Sequence, residues 1–166
     1  MTQNELDKIL KDHKLWIKCK HTSGILRFAD IKDTDLRDAY LRNAKGICAN
    51  FTRANLQHAN LYRMNISGAN FSETDLQCAS LKYTDLQDSN FAGANCYQAH
   101  LNYANLTNSS LCNTDFVCAN LTGAKIDHNI RDCRSFKFAK FSPDALPWLI
   151  LHPHWAKDKD TVTIVF

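Results

Sequence analysis

Ala49-Asn50-Phe51-Thr52-Arg53, Ala54-Asn55-Leu56-Gln57-His58 and Ala59-Asn60-Leu61-Tyr62-Arg63 are three consecutive five-residue units of one form. A small residue comes first, Asn or Asp second and a large apolar residue third, with two variable positions after it. From Leu26 to Ile126 the unit can be laid down 21 times in register. Its central position holds Leu, Ile or Phe almost throughout, with Gly46 and Cys96 the departures. Two residues earlier, in the units from Ala29 onward, stands Ala, Thr or Ser, and Met64 is the odd one. A longer beat runs above this one: Ala stands at 39, 59, 79, 99 and 119, and Leu at 41, 61, 81, 101 and 121.

Five residues are too few for a helix pair or a hairpin, so each unit must form one side of a coil. The twenty-residue period then stacks equivalent residues on one face. Phe51, Phe71 and Phe91 make one column, Leu56 and Leu76 continue through Cys96 to Phe116 on the next, Leu41 to Leu121 fill the third, and Ile66, Leu86, Leu106 and Ile126 the fourth. Stacking of like on like is what a solenoid core requires. The small first residue leaves room for the large one, and the Asn or Asp between them can hydrogen-bond local backbone at the bend.

The pattern A-(D/N)-(L/F)-x-x resembles the pentapeptide-repeat proteins. Ala69-Asn70-Phe71, Thr74-Asp75-Leu76, Thr84-Asp85-Leu86, Ala94-Asn95-Cys96, Ala104-Asn105-Leu106, Thr114-Asp115-Phe116 and Ala119-Asn120-Leu121 are further units, and the likeness spans about two-thirds of the chain. It implies an all-β solenoid, a right-handed quadrilateral β-helix with four units per coil and one coil every ~4.8 Å. Five to six coils over residues 26–141 are expected, and five give a rod of roughly 25 Å.

Both flanks read as caps. Thr2-Gln3-Asn4-Glu5 has the form of a capping box, and Leu6, Ile9, Leu10, His13, Trp16 and Ile17 fall on one helical face. An N-terminal capping helix over about 3–18, within a segment 1–25, is predicted, with His13 packing on the stack. Beyond Ile126 the beat weakens, but Ala139-Lys140-Phe141 is in register and a partial coil over about 131–141 is expected. In the C-terminal cap, 142–166, Ser142-Pro143-Asp144 starts a short helix, with Pro147 in its first turn. His152-Pro153-His154-Trp155 breaks that helix. Lys157-Asp158-Lys159-Asp160 is a polar turn, and Thr161-Val162-Thr163-Ile164-Val165-Phe166 alternates like a terminal strand whose edge is open to a second copy, a homodimer surface.

Formal charge is +3, yet residues 26–126 carry nine basic and nine acidic side chains. A neutral array argues against non-specific nucleic-acid binding and against a strongly acidic, DNA-like surface. Seven cysteines with no CxxC, at 19, 48, 78, 96, 112, 118 and 133, read as free thiols in a reducing cytoplasm. Cys78 and Cys118 share an outward column two coils apart, about 10 Å, too far for a disulfide. Cys96 reads as a small hydrophobe. No apolar run reaches the length of a membrane span, and the start of the sequence is polar rather than a signal peptide.

The sequence holds no P-loop, GxSxG or HExxH, so no catalytic residue, cofactor or metal is assigned and the chain reads as non-enzymatic. Asp30, Asp33, Asp35 and Asp38 interleave with Arg27, Lys32, Arg37 and Arg42 as a self-neutralising face. His152 and His154, with Cys133 or His128, suit a turn better than a metal site. One outward cluster stands out once the coils are stacked. Arg42, Tyr62 and Lys82 form one column, Arg63, Tyr83 and Tyr103 the next, and Tyr40 and His100 flank them. Such a surface suits a protein partner first and a small anionic or nucleotide ligand second, whereas tyrosine ladders also stabilise neighbouring coils. The family resemblance implies another candidate, a DNA-mimicking rod that engages a type II topoisomerase. Leu10-Lys11-Asp12-His13-Lys14-Leu15-Trp16 is similar to pentapeptide proteins of bacteria and their phages, which implies a phage or prophage factor acting on a host protein. Replacing Leu81, mid-column on the most regular face, with Ala should cost about 2 to 5 kcal/mol in urea unfolding, because the coils above and below cannot close the cavity; a loss under about 1 kcal/mol would mean the column is not buried.

Overall fold

The backbone of one unit shows why the chain coils. In Ala54-Asn55-Leu56-Gln57-His58 the Ala54 N–H donates to Phe51 O across the preceding turn (2.9 Å), and Asn55 donates to Thr34 O of the coil before (2.8 Å). Leu56 and His58 donate to Asp75 O and Gln77 O of the coil after (2.7 and 2.9 Å). The remaining N–H, that of Gln57, donates to the Asn55 Oδ1 at 3.1 Å. All five donors are satisfied, so the polar second residue is the one side chain whose loss leaves an N–H without an acceptor inside the unit.

Repetition of this scheme builds the structure, a computed structural model that describes residues 26–166 apart from 28, 154 and 156–158. The expected N-terminal helix and His13 lie outside the described residues, as do His154 and half of the polar turn. Parallel bridges twenty residues apart, from Asp30↔Asn50 to Asp115↔Ser135, wind the chain into a right-handed quadrilateral β-helix. We name its four faces by their first central residues: the Leu26, Ile31, Leu36 and Leu41 faces. The bridged segments are short, and β1 (Asn120–Leu121), β2 (Lys140–Phe141) and β3 (Thr163–Ile164) form a parallel sheet in that order on the Leu41 face. Among the described residues no helix is long and apolar enough to cross a membrane.

The core is the stacked interior. Leu41, Leu61, Leu81, Leu101 and Leu121 are all at most 1% exposed. Phe51 and Phe71 stack at 4.9 Å with ring planes 1° apart, and Phe91 follows at 4.9 Å. Thr74, Thr84, Ser89, Ser109 and Thr114 are equally buried at the small corner positions. Each of these hydroxyls donates to a carbonyl 23 residues earlier, such as Thr74 to Phe51 O at 2.7 Å, so no buried hydroxyl is left unpaired. Burial pushes the Cys96 thiol far up, and it fills its column as a small apolar side chain.

Among the described residues twenty corners bend through a left-handed residue, and seventeen of these are not glycine. Every one is the last residue of its unit, from Asp33 to Phe138, where positive φ marks a type II rather than a type I turn. A side chain there costs about 1 to 2 kcal/mol. Burial of the unit's central residue, about 1.5 to 3 kcal/mol, offsets it. This is how a chain with only 5 Gly makes so many turns.

At the sixth coil the beat is interrupted as expected, by a 3-10 helix over His128–Asp132. Asp127 caps it, accepting from Asn129 N at 3.0 Å, and its other oxygen takes Asn108 N at 2.8 Å. Ile130 fills the core in place of the regular central residue, and Phe136 and Phe141 restore the register. The C-terminal cap follows with a 3-10 turn Pro143–Ala145 and α1 (Leu146–Leu149), shorter than one full heptad. Of the expected strand 161–166 only Thr163–Ile164 pairs, with β2.

The two oddities of the pattern explain one another. A Cβ placed on Gly46 would lie 2.8 Å from both Met64 Cε and Ile66 Cγ2, so the long Met64, at a position meant for Ala, occupies the space that Gly46 vacates. Gly46→Leu should therefore destabilise by several kcal/mol through overpacking, and adding Met64→Ala should recover at least about 1 kcal/mol of it in a urea-unfolding double-mutant cycle. Additive effects would show that the two sites do not share volume.

Candidate functional site

On the Leu41 face the polar second position keeps its staple in some coils only, as on the Leu26 face, where Lys45 and Lys125 lack it, and the Ile31 face, where Asp30 and Ser110 lack it. Asn60 and Asn120 accept from Tyr62 N and Thr122 N at 3.0 and 3.1 Å. At the equivalent positions Tyr40, Ser80 and His100 make no such bond, so three of the five coils have given up the staple there.

In its place the turn residues build a ladder up the rod. The Arg42 guanidinium carbon lies 4.6 Å from the centre of the Tyr62 ring. Arg63 sits 5.3 Å from Tyr62 and 5.6 Å from Tyr83, capping from one side two rings that are themselves edge-on at 5.7 Å. Tyr83 then stacks on Tyr103 at 4.9 Å and 12°. Tyr103 in turn lies flat over Gly123, where an added Cβ would come within 2.4 Å of its Cδ1. Cations above aromatic faces are attracted to the ring quadrupole by about 0.5 to 1 kcal/mol at exposed sites. The ladder's planar groups are thus engaged with one another, and its outer rim consists of tyrosine hydroxyls, ring edges and guanidinium nitrogens. Tyr83 and Tyr103 remain about half exposed, at 47% and 54%.

Of the eight residues predicted from the sequence, the structure brings five together: Arg42, Tyr62, Arg63, Tyr83 and Tyr103. Tyr40, Lys82 and His100 share the face but stand outside the ladder. Partial burial and then the Lys82 charge push the His100 imidazole below its ordinary value, which keeps it neutral at neutral pH. Gly123 was missed, because only the flat seat of Tyr103 reveals its part.

Charge is also segregated in a way the sum conceals. The Leu41 face carries Arg42, Arg63 and Lys82 and no carboxylate in its five regular coils, while the Leu36 face carries Asp35, Asp38, Asp75 and Asp115 against Arg37 alone. The neutral array expected from composition is therefore a neutral total over unlike faces. In the first coils Arg37 pairs with Asp35 at 2.6 Å and Lys32 with Asp30 at 3.8 Å as predicted, whereas Asp33 is taken by Arg53 of the next coil at 2.6 Å and Arg42, expected in the same neutral face, lies over the Tyr62 ring instead. The Arg53 and Arg37 guanidiniums hold the Asp33 and Asp35 carboxyls below the usual range. Away from this face, His152 is buried, with Nε2 3.1 Å from Cys133 O and its ring edge-on to Phe136 at 4.4 Å, a packing role. Among the described residues no group of three His, Cys, Asp or Glu side chains is gathered to hold a metal ion.

Comparison with known proteins agrees with this architecture. A family model described as pentapeptide repeats (8 copies) matches residues 25–63, 54–93 and 89–127. Three solved structures share the fold. A pentapeptide repeat protein from the thylakoid lumen of Arabidopsis thaliana is 23% identical, with TM-score 0.54 over 64% of this chain and 70% of that one. HetL, involved in heterocyst differentiation regulation in the cyanobacterium Nostoc, is 24% identical, with TM-score 0.59 over 71% of this chain, which spans 48% of that protein. Rfr23 from the cyanobacterium Cyanothece is 22% identical, with TM-score 0.56 over 71% and 88%. No curated protein matches the sequence. Gly123→Ala should cost at least about 1 kcal/mol more than Gly93→Ala in urea unfolding, since both sit at φ +70° but only the former meets a ring. The difference should vanish in a Tyr103→Ala background; if it persists, the ring is not seated there.

Proposed function

The chain belongs to the pentapeptide-repeat family, and from that premise we propose that it is a non-enzymatic binding module of the cytoplasm, a rigid rod that presents its Leu41 face to a protein partner. The observation that carries this is the gathering of cations and tyrosines, without a carboxylate, on one face. No coil of the regular array carries a carboxylate on this face, and the same face collects exposed tyrosines and cations. Aromatic and Arg side chains are also those enriched where proteins meet. In a phage or prophage setting the surface acts on a host protein. A nucleotide held by stacking finds less support, because the ladder already occupies its ring faces.

The Leu36 face supports a second reading, a DNA-shaped rod that engages a type II topoisomerase, through its row of carboxylates. β3, paired on one side only among the described residues, with Val165 and Phe166 exposed beyond it, favours a homodimer through the C-terminal cap. Capture from bacterial lysate by the wild-type chain, by Arg63→Ala with Tyr83→Ala, and by the opposite-face control Arg53→Ala tests the main reading. A species held by wild type and control but lost with the first variant supports it; equal capture by all three removes it. Gyrase supercoiling unchanged at micromolar protein would remove the second reading.

A further inference from the structure

Arginine is treated in two ways along this rod. Arg37 and Arg53 each lie 2.6 Å from a carboxylate of the chain itself. Among the described residues Arg42, Arg63 and Lys82 have no carboxylate within ion-pair distance, and the five regular coils of their face hold none. Yet Arg42 and Arg63 are not loose: each guanidinium lies over tyrosine, at 4.6 Å for Arg42 and at 5.3 and 5.6 Å for Arg63. A planar fork held in place loses less freedom on binding than a free chain does, and it matches a carboxylate two bonds at a time.

We propose that the partner lays an acidic segment along the Leu41 face, with its carboxylates taken by the forks of Arg42 and Arg63 and drawn in by Lys82. This rests on the reading of that face as the binding surface and adds the chemistry of what it binds. Charge complementarity selects the occupant, since the Leu41 face is the one regular face without a carboxylate of its own. The width fits as well: three extended residues per face span roughly 10 Å, enough for one extended chain. A single nucleic-acid strand meets only three cations there, and with Tyr62, Tyr83 and Tyr103 engaged in the ladder only Tyr40 is left to stack a base, so it lacks the basic groove and the succession of rings such binders combine.

The test is fluorescence anisotropy with a fluorescein-labelled peptide of about ten residues alternating Glu and Thr, against its Gln counterpart and a single-stranded oligonucleotide of equal length. The Glu peptide should bind saturably and weaken as salt is raised, and the Gln peptide should not bind. Arg42→Gln and Arg63→Gln should each weaken binding at least about tenfold, Arg63→Lys nearly as much because charge without the fork is not enough, and Arg53→Gln not at all. Circular dichroism checks that each variant is folded. Equal binding of the Glu and Gln peptides, no saturable binding up to about 1 mM, or an oligonucleotide that binds more tightly through the same arginines would each overturn the proposal. If lysate capture depends on Arg63 and Tyr83 while the Glu peptide stays unbound, the acidic chemistry is wrong and the face still binds. Capture that ignores those residues, with a peptide that binds, is the reverse.

Discussion

The structure depends on a complete assignment of backbone donors that no single coil can satisfy. Within a regular unit such as 54–58 two N–H groups are served by the coil after, one by the coil before, one by the local turn and one by the Asn side chain. A coil in isolation would leave most of these unmet, so coils are stable only as neighbours, and the array must be closed at its ends. The left-handed corner belongs to the same bargain. Seventeen non-glycine residues accept that backbone because the N–H it presents is bonded to the next coil and the central residue is buried beside it.

What is periodic was legible in the sequence. A side chain's place in a five-residue unit decides whether it points in or out, and its place in twenty decides its face, so the columns of Leu and Phe follow from counting alone. The stop at Ile126 and the start at Ser142-Pro143 were legible too, since Pro and loss of the beat act locally. Less could be read wherever a neighbour across a corner or between coils matters. Gly46 and Met64 look like two unrelated faults 18 residues apart until the fold shows one filling the other's space. Gly123 looks like any turn glycine until Tyr103 is seen lying on it. The 3-10 segment at His128–Asp132 has its own cap, and no repeat count could have supplied Ile130 as the core residue.

The candidate site was legible as a membership and not as an arrangement. Stacking by twenty put all eight residues on one face, but it could not say that Arg63 caps both Tyr62 and Tyr83, or that Tyr40 and His100 stand apart. Those outcomes turn on rotamers chosen against neighbouring coils. Charge behaved the same way: nine acids and nine bases cancel in a sum, and only assignment to faces shows that the Leu41 side has kept its cations to itself.

The Leu41 face is also the longest. Its strands run from Tyr40 through Asn60, Ser80, His100 and Asn120 to Lys140 and then to Thr163 in the C-terminal cap, whereas on the other three faces the last bridge is at Lys125, Ser110 or Ser135. Along that length the backbone repeats while the side chains do not: Arg, Tyr, Lys, Asn and Thr succeed one another down one column, and Asn, Arg, Tyr, Tyr and Gly down the next. A partner displaced by one coil would find the same spacing and a different set of groups. The rod therefore behaves as a ruler with unequal marks, able to fix not only which molecule lies against it but how far along and in which direction.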